Sequence, residues 1–230
     1  METTAAGVVL ASGAGTRVGA KLNKVYLPLA GRRVVAWSLD AFARVPGLGV
    51  LVLVIRPQDA ELAEEVLASH DGEVEIVHGG ATRQASELNA LRHLAPRITG
   101  GAIDAVLLHD AARPLVSPDL VATVLAQTRE HGGAVPGVAA DDVVAVAGEA
   151  VTGRVSGAIR VQTPQGFRAA PLLAAYEQAE REGFLGTDTS SCMERFSTLP
   201  VRWVDGGPEN LKITYPHDLV VAERLLDSSP

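Results

Sequence analysis

Gly7-Val8-Val9-Leu10-Ala11-Ser12-Gly13-Ala14-Gly15-Thr16-Arg17-Val18-Gly19-Ala20-Lys21-Leu22-Asn23-Lys24 is an apolar run that breaks into a loop of glycine, small and cationic residues. The run, residues 7–10, reads as a strand. The loop reads as a phosphate cradle: Gly13, Gly15 and Gly19 let the backbone take positive φ and come close to a ligand, so that consecutive N–H groups converge on oxyanions. Arg17 and Lys24 supply fixed positive charge. A glycine-rich turn after a buried strand also arises for steric reasons alone, so the rest of the chain has to decide between the two.

Outward from this loop, apolar runs alternate with amphipathic segments, the pattern of a mostly parallel sheet covered by helices. Strands are expected at residues 8–10, 49–55, 74–77, 105–108 and 134–138. Residues 59–69 place Leu62, Ala63, Val66 and Leu67 on one helical face, and residues 83–94 align Leu88, Leu91 and Leu94. Ser117-Pro118-Asp119 reads as a helix start, an N-cap followed by proline, and residues 214–218 open the last helix in the same way. Residues 139–160 break the alternation with Asp141-Asp142, a Val-Val-Ala-Val-Ala segment and three glycines, and read as a β-hairpin excursion.

Composition removes several function classes. The loop spacing puts Val18 where a dinucleotide-binding loop needs its third glycine, and it lacks the Gly-Lys-Ser/Thr ending of a P-loop. A net charge of −7 argues against a protein that coats nucleic acid. No apolar run approaches the ~20 residues that span a bilayer, and the acidic N-terminus is not a secretory signal, which makes cytoplasm the default. A lone Cys192 cannot form an internal disulfide, and the six histidines lack metal-binding spacing. The 230 residues, 47% hydrophobic, suit a single α/β domain with one large core. Only three of 20 cationic residues are lysine, and two of them, Lys24 and Lys212, lie in motifs. A lysine kept in so arginine-rich a chain suggests a need for a compact point charge.

Residues 106–114, Val-Leu-Leu-His-Asp-Ala-Ala-Arg-Pro, form an apolar strand with a polar tip. In open α/β sheets ligands bind beyond the carboxyl ends of strands, which puts Asp110 and Arg113 where chemistry is expected. An Asp/Arg pair can also merely close a turn. Taken with the first loop, the chain resembles the 2-C-methyl-D-erythritol 4-phosphate cytidylyltransferase family, related to the ribitol-5-phosphate cytidylyltransferases. The resemblance runs from residue 8 to 226 through ordered motifs: the loop with Arg17 and Lys24-Val25-Tyr26-Leu27-Pro28-Leu29; Gly79-Gly80-Ala81-Thr82-Arg83-Gln84-Ala85-Ser86; His109-Asp110-Ala111-Ala112-Arg113-Pro114; Gln162-Thr163-Pro164-Gln165-Gly166-Phe167; Thr187-Asp188-Thr189; and Asn210-Leu211-Lys212-Ile213-Thr214.

The resemblance implies a single-domain (1–230), Rossmann-like α/β fold, mostly parallel and flanked by helices, with residues 139–160 as a protruding β-hairpin arm for dimerisation. It implies a cytidylyltransferase that joins CTP to 2-C-methyl-D-erythritol 4-phosphate and releases pyrophosphate, with Mg²⁺ held mainly by CTP phosphates and no protein ligand assigned to the metal. Arg17, Lys24 and Lys212 are then the catalytic cations. Ala11, Ser12, Gly13, Ala14, Gly15, Gly80, Ala81, Ser86, Asp110 and Ala111 form the CTP pocket, where Ala11 and Gly80 backbone groups and the Ser86 hydroxyl read cytosine. Asp110, Arg113, Thr163, Thr187, Asp142 and Arg154 face the acceptor. The partners implied are CTP, a small phosphorylated polyol and a second copy of the chain, with no nucleic acid and no membrane.

The chain departs from the family mainly on the acceptor side. Asn23 stands where proline is usual, and Val25 where Gln or Ala is common. In the arm, Asp142 and Val144 replace a threonine and a lysine, and Arg154 is the offset candidate for an arginine. The acidic motif reads Thr187-Asp188-Thr189-Ser190-Ser191, without the family's second acidic residue. The alternatives are therefore a paralogue acting on another polyol phosphate or a phosphonate, and, from a different class, a catalytically idle nucleotide-binding module, against which the intact Arg17, Lys24 and Lys212 speak.

Overall fold

A strand that is apolar at every position after its first must be covered on both faces, and β1 (Thr4–Leu10) shows this in the computed structural model, which describes residues 3–13 and 22–228. After it come a hairpin of β2 (Pro28–Leu29) and β3 (Arg32–Arg33), then α1 (Val34–Ala43), β4 (Leu48–Ile55), α2 (Ala60–Leu67), β5 (Glu75–His78), α3 (Arg83–Thr99) and β6 (Ile103–Asp110). The second half holds α4 (Pro118–His131), β7 (Gly133–Ala139), β8 (Val144–Ala147), β9 (Ala150–Arg154), β10 (Ile159–Val161), β11 (Gln165–Arg168), α5 (Ala169–Glu182), α6 (Thr189–Phe196), β12 (Val201–Asp205) and α7 (Pro216–Asp227).

β1 pairs in parallel with β4 on one side and β6 on the other, and β5 adds to β4. Beyond β6 lies antiparallel β11, which pairs with the start of β7, while antiparallel β10 pairs with its end. Parallel β12 takes the other edge of β7. The chain first winds from β1 towards β5, then returns to place β6 on the opposite flank. Connections therefore diverge at the carboxyl ends of β1 and β6, which opens a crevice there.

Successive side chains of β1 serve two cores. Ala6, Val8 and Leu10 pack with Leu88, Leu91 and Leu94 of α3, Leu172 and Tyr176 of α5 and Met193 of α6. On the other face Val9 meets Val35 and Leu39 of α1 and Val66 of α2, and Ala5 meets Phe42 of α1 and Val124 of α4. Burial of each such Val or Leu stabilises by roughly 1.5–3 kcal/mol, so the strand that leads into the loop is held from both sides. Gly7 is required by this packing, because a Cβ there would lie 2.5 Å from Phe42 Cδ1.

The expected strands are all present, and α3 runs on to Thr99 because Ile98 continues the buried stripe one turn beyond Leu94. Ser117 caps α4 by accepting from the Leu120 N–H at 3.1 Å. α7 is capped differently from expectation: a tyrosine precedes its proline, and the Asp218 carboxylate reaches back to the Thr214 and Tyr215 N–H groups, both at 2.7 Å. The excursion is the β8–β9 hairpin, turned at Gly148 with φ +60° and exposed throughout, with Val146 64% and Val151 66% accessible. Among the described residues no helix is long and apolar enough to cross a membrane.

Candidate active site

At the carboxyl ends of β1, β4, β5 and β6 lies a cleft of about 620 Å³. Each strand contributes residues at or just past its end: Ser12 and Gly13 from β1, Arg56 from β4, Gly79 and Gly80 from β5, and Asp110 from β6 itself. Lys24 and Lys212 enter from the two ends of the chain.

One wall is a glycine shelf ordered by Ser86. A Cβ on Gly79 would sit 2.5 Å from Ser12 Cβ, and one on Gly80 would sit 2.5 Å from Ala85 Cβ, so only glycine allows the backbone to lie flat against α3. The Ser86 hydroxyl accepts from Ser12 Oγ at 2.9 Å and from the Gly80 N–H at 3.0 Å, and donates to the Thr82 carbonyl at 2.9 Å. Thr82 caps α3 by accepting from the Ala85 N–H.

The other wall is cationic around a single carboxylate. Lys212 Nζ lies 2.6 Å from Asp110 Oδ2 and Arg83 Nε 3.3 Å from Oδ1. Burial would raise the Asp110 carboxyl, but the attraction of Arg83 and then Lys212 outweighs it and holds the group well below the usual carboxylate range. Arg83 also pairs with buried Glu87 at 2.6 Å, which accepts from Tyr176 and Thr189 hydroxyls, both at 2.7 Å. Lys24 Nζ donates to the Ile213 carbonyl at 2.6 Å, and the Ile213 N–H donates to Ala112 O at 2.8 Å. The segment bearing Lys212 is thereby bound to both Lys24 and the tip of β6.

Beneath Asp110, the partners fix the proton positions. His109 is fully buried, and its Nε2 lies 3.1 Å from the Arg113 carbonyl, which can only accept, so Nε2 carries the hydrogen. Nδ1 then accepts from the Thr163 hydroxyl at 3.0 Å, whose oxygen accepts from the Asp110 N–H at 3.1 Å. Burial pushes the imidazole pKa down to about 4, in keeping with this neutral tautomer. Thr163 thus ties the tip of β6 to the β10–β11 connection.

Of the residues expected at the nucleotide, Ser12, Gly13, Gly80, Ala81, Ser86 and Asp110 line the cleft, with Lys24 and Lys212. Ala14, Gly15 and Arg17 lie outside the described residues. Ala11 and Ala111 are fully buried beneath the cleft. Both backbone groups of Ala11 are already bonded, its N–H to Val54 O and its carbonyl to Asn23. Thr163 is 4% exposed with its hydroxyl spent on His109 and Asp110. Arg113 donates to Asn210 O at 2.7 Å and Thr187 is exposed away from the described lining. Asp142 lies out on the arm beside Arg160 Nη2 at 3.4 Å, while Arg154 donates to the Asp141 carbonyl. The arm cation facing Asp142 is therefore Arg160.

Arg56 and Arg83 line the cleft although the sequence pattern did not single them out. Arg83 stands within the glycine motif of residues 79–86, and a cation one residue into a helix after a glycine turn was the available signal. Among the described residues no group of three or more His, Cys, Asp or Glu side chains is arranged to hold a metal. Asp110 is the one carboxylate among the described lining residues. A single hard oxygen donor beside room for phosphates fits Mg²⁺, which keeps most of its coordination for phosphate oxygens and water.

The family model described as 2-C-methyl-D-erythritol 4-phosphate cytidylyltransferase matches residues 5–228. A protein of that name from Cereibacter sphaeroides is 43% identical over 229 residues, covering 97% of each chain. The crystal structure of the 4-diphosphocytidyl-2C-methyl-D-erythritol synthase of Anaerococcus prevotii superposes with a TM-score of 0.87 at 28% identity, covering 98% of this chain and 96% of that one. The 2-C-methyl-D-erythritol 4-phosphate cytidylyltransferase of Thermus thermophilus gives 0.73 at 31% identity, covering 99% and 100%.

Proposed function

Because the chain belongs to the 2-C-methyl-D-erythritol 4-phosphate cytidylyltransferase family, we propose that it transfers the cytidylyl group of CTP to 2-C-methyl-D-erythritol 4-phosphate in the non-mevalonate isoprenoid pathway. An acceptor phosphate oxygen attacks the α-phosphorus of CTP, a new P–O–P link forms, the bond to the β-phosphate breaks, and pyrophosphate leaves. The acceptor monoester has a second pKa of about 6, so at neutral pH it is already a dianion and needs no general base. The difficulty is the meeting of several negative charges, and the remedy is neutralisation and in-line positioning.

The observation that carries the reading is the pairing of Lys212 and Arg83 with Asp110 in the cleft that Lys24 and the glycine shelf also line. Lys24 and Lys212 take the charge that develops on the phosphates, joined by Arg17. Asp110 holds Lys212 and Arg83 in place and is the residue that would hold Mg²⁺. That ion, when bound, supplies further neutralisation of the triphosphate. Ser12, Gly13, Gly80, Ala81 and Ser86 cradle the nucleotide, while Arg113, Thr163 and Thr187 act on the acceptor side, Thr163 by steadying Asp110.

The whole chain, 1–230, is read as one nucleotidyltransferase domain, with residues 139–160 as the arm of a homodimer that brings Asp142, Arg154 and Arg160 towards the neighbour's acceptor. Exposed Val146 and Val151 on that arm support this reading. Cytoplasmic action belongs to the same proposal, since CTP is an intracellular nucleotide. The test is pyrophosphate release with 2-C-methyl-D-erythritol 4-phosphate and each nucleoside triphosphate in turn. Turnover is expected with CTP and a divalent cation and much less with ATP or GTP; equal rates with all of them would overturn the proposal.

A further inference from the structure

Asn23 closes the mouth of the glycine loop. Its Nδ2 lies 2.8 Å from the carbonyl of Ala11, the first residue after β1, and 2.9 Å from Asp59 Oδ2. Both partners can only accept in these contacts, so the NH₂ group faces them and the amide orientation is decided. Oδ1 is buried without a partner among the described residues, a desolvation cost that the two donated bonds must offset. Asp59, 3% exposed, is clamped in turn by Arg56 through Nε and Nη2, both at 2.7 Å, and Arg56 lines the cleft. One side chain therefore joins Ala11 to position 23 and ties both to the Arg56–Asp59 ion pair at the edge of the cleft. Lys24 is the next residue. The backbone of Asn23, φ −60° and ψ 127°, is one that proline also adopts, but proline carries no donor and could make neither bond.

We propose that Asn23 is a positioning residue for the transfer step: its amide fixes the mouth of the loop to Asp59 and thereby sets the direction from which Lys24 enters the cleft. This rests on the reading of Lys24 as a phosphate-neutralising cation. Asn23→Ala removes both bonds while leaving Lys24 in the sequence. Asn23→Asp is nearly isosteric but sets a second carboxylate against Asp59, and such a pair binds one proton more readily than either group alone.

The experiment follows pyrophosphate release from CTP by the full chain between pH 5.5 and 8, with thermal melting in parallel. Asn23→Ala is expected to lower kcat by about 10–10²-fold, the scale of a misplaced catalytic group, with KM for the acceptor nearly constant. Asn23→Asp is expected to be impaired at pH 8 and to recover in part relative to wild type on acidification, as the introduced carboxyl takes up a proton and donates it to Asp59, restoring that bond but not the one to the Ala11 carbonyl. A role confined to stability would lower the melting temperature and leave the kcat of folded protein and its pH profile unchanged, and that result would overturn the proposal. An inactive wild-type chain would overturn the phosphoryl-transfer reading and this one with it, whereas an active wild type with unaltered variants would overturn this one alone.

Discussion

Acid is expected to destabilise the chain through His109 before most of its carboxylates titrate. The ring is fully buried between the Arg113 carbonyl and the Thr163 hydroxyl, and a second ring proton would turn Nδ1 into a donor facing a hydroxyl that now donates to it. Burial holds its pKa at about 4, against 6.5 for an exposed imidazole. Between those values the unfolded chain binds a proton that the folded chain does not. Stability is therefore fully present above pH 6.5 and falls as the pH drops towards 4, by ~3 kcal/mol over the window. Urea unfolding at pH 7 and pH 4.5 measures this, and the His109 ring resonance reports the titration directly. Thr163→Val removes the partner of Nδ1 and of the Asp110 N–H, each worth about 1–3 kcal/mol when left unpaired in the interior, while Thr163→Ser keeps both bonds and is expected to behave as wild type. A ring resonance titrating near 6.5, or a Thr163→Val variant as stable as wild type, would refute the reasoning.

Charge neutralisation predicts that Arg17→Ala, Lys24→Ala and Lys212→Ala each lower kcat by ~10²–10³, the scale of a lost transition-state donor, with the fold intact by circular dichroism; turnover like wild type in any of them would remove that residue from the mechanism. The arm predicts a homodimer in light scattering, and Val146→Glu with Val151→Glu, which place charge on the two most exposed arm valines, should yield a less active monomer. A monomeric wild type with full activity would refute the arm's role.

Much of the architecture can be read from local pattern. β1, β4, β6 and β7 are apolar runs because helices cover both faces of the sheet, and the start of α4 is written in Ser117 and Pro118. The shelf at Gly79 and Gly80 is equally local, since neighbouring side chains leave no room for a Cβ. β12 carries a weaker signal: it is an edge strand with Arg202 and Trp203 exposed, so no run of buried residues marks it. The start of α6 is likewise written in Asp188, which accepts from the Ser191 N–H, whereas α5 follows Arg168 with no side-chain cap, and little in its own sequence says where it begins.

The sequence by itself determined the parallel sheet, the glycine loop and the cation-bearing motifs, because each depends on residues within a few positions of one another. Which residues meet was decided only in three dimensions. Lys212 and Asp110 are 102 positions apart, Lys24 reaches a carbonyl 189 positions away, and Arg83 meets Asp110 across 27 positions. Thr163 and Asp142 make the same point from the other direction. Motif position assigned both to the acceptor, and packing adds contacts that no motif shows: the Thr163 hydroxyl turns to His109, and Asp142 lies on an exposed arm beside Arg160. The physical reason is that a hydrogen bond or ion pair depends on distance and on the donors left unpaired, and strand order at the carboxyl edge of the sheet sets both.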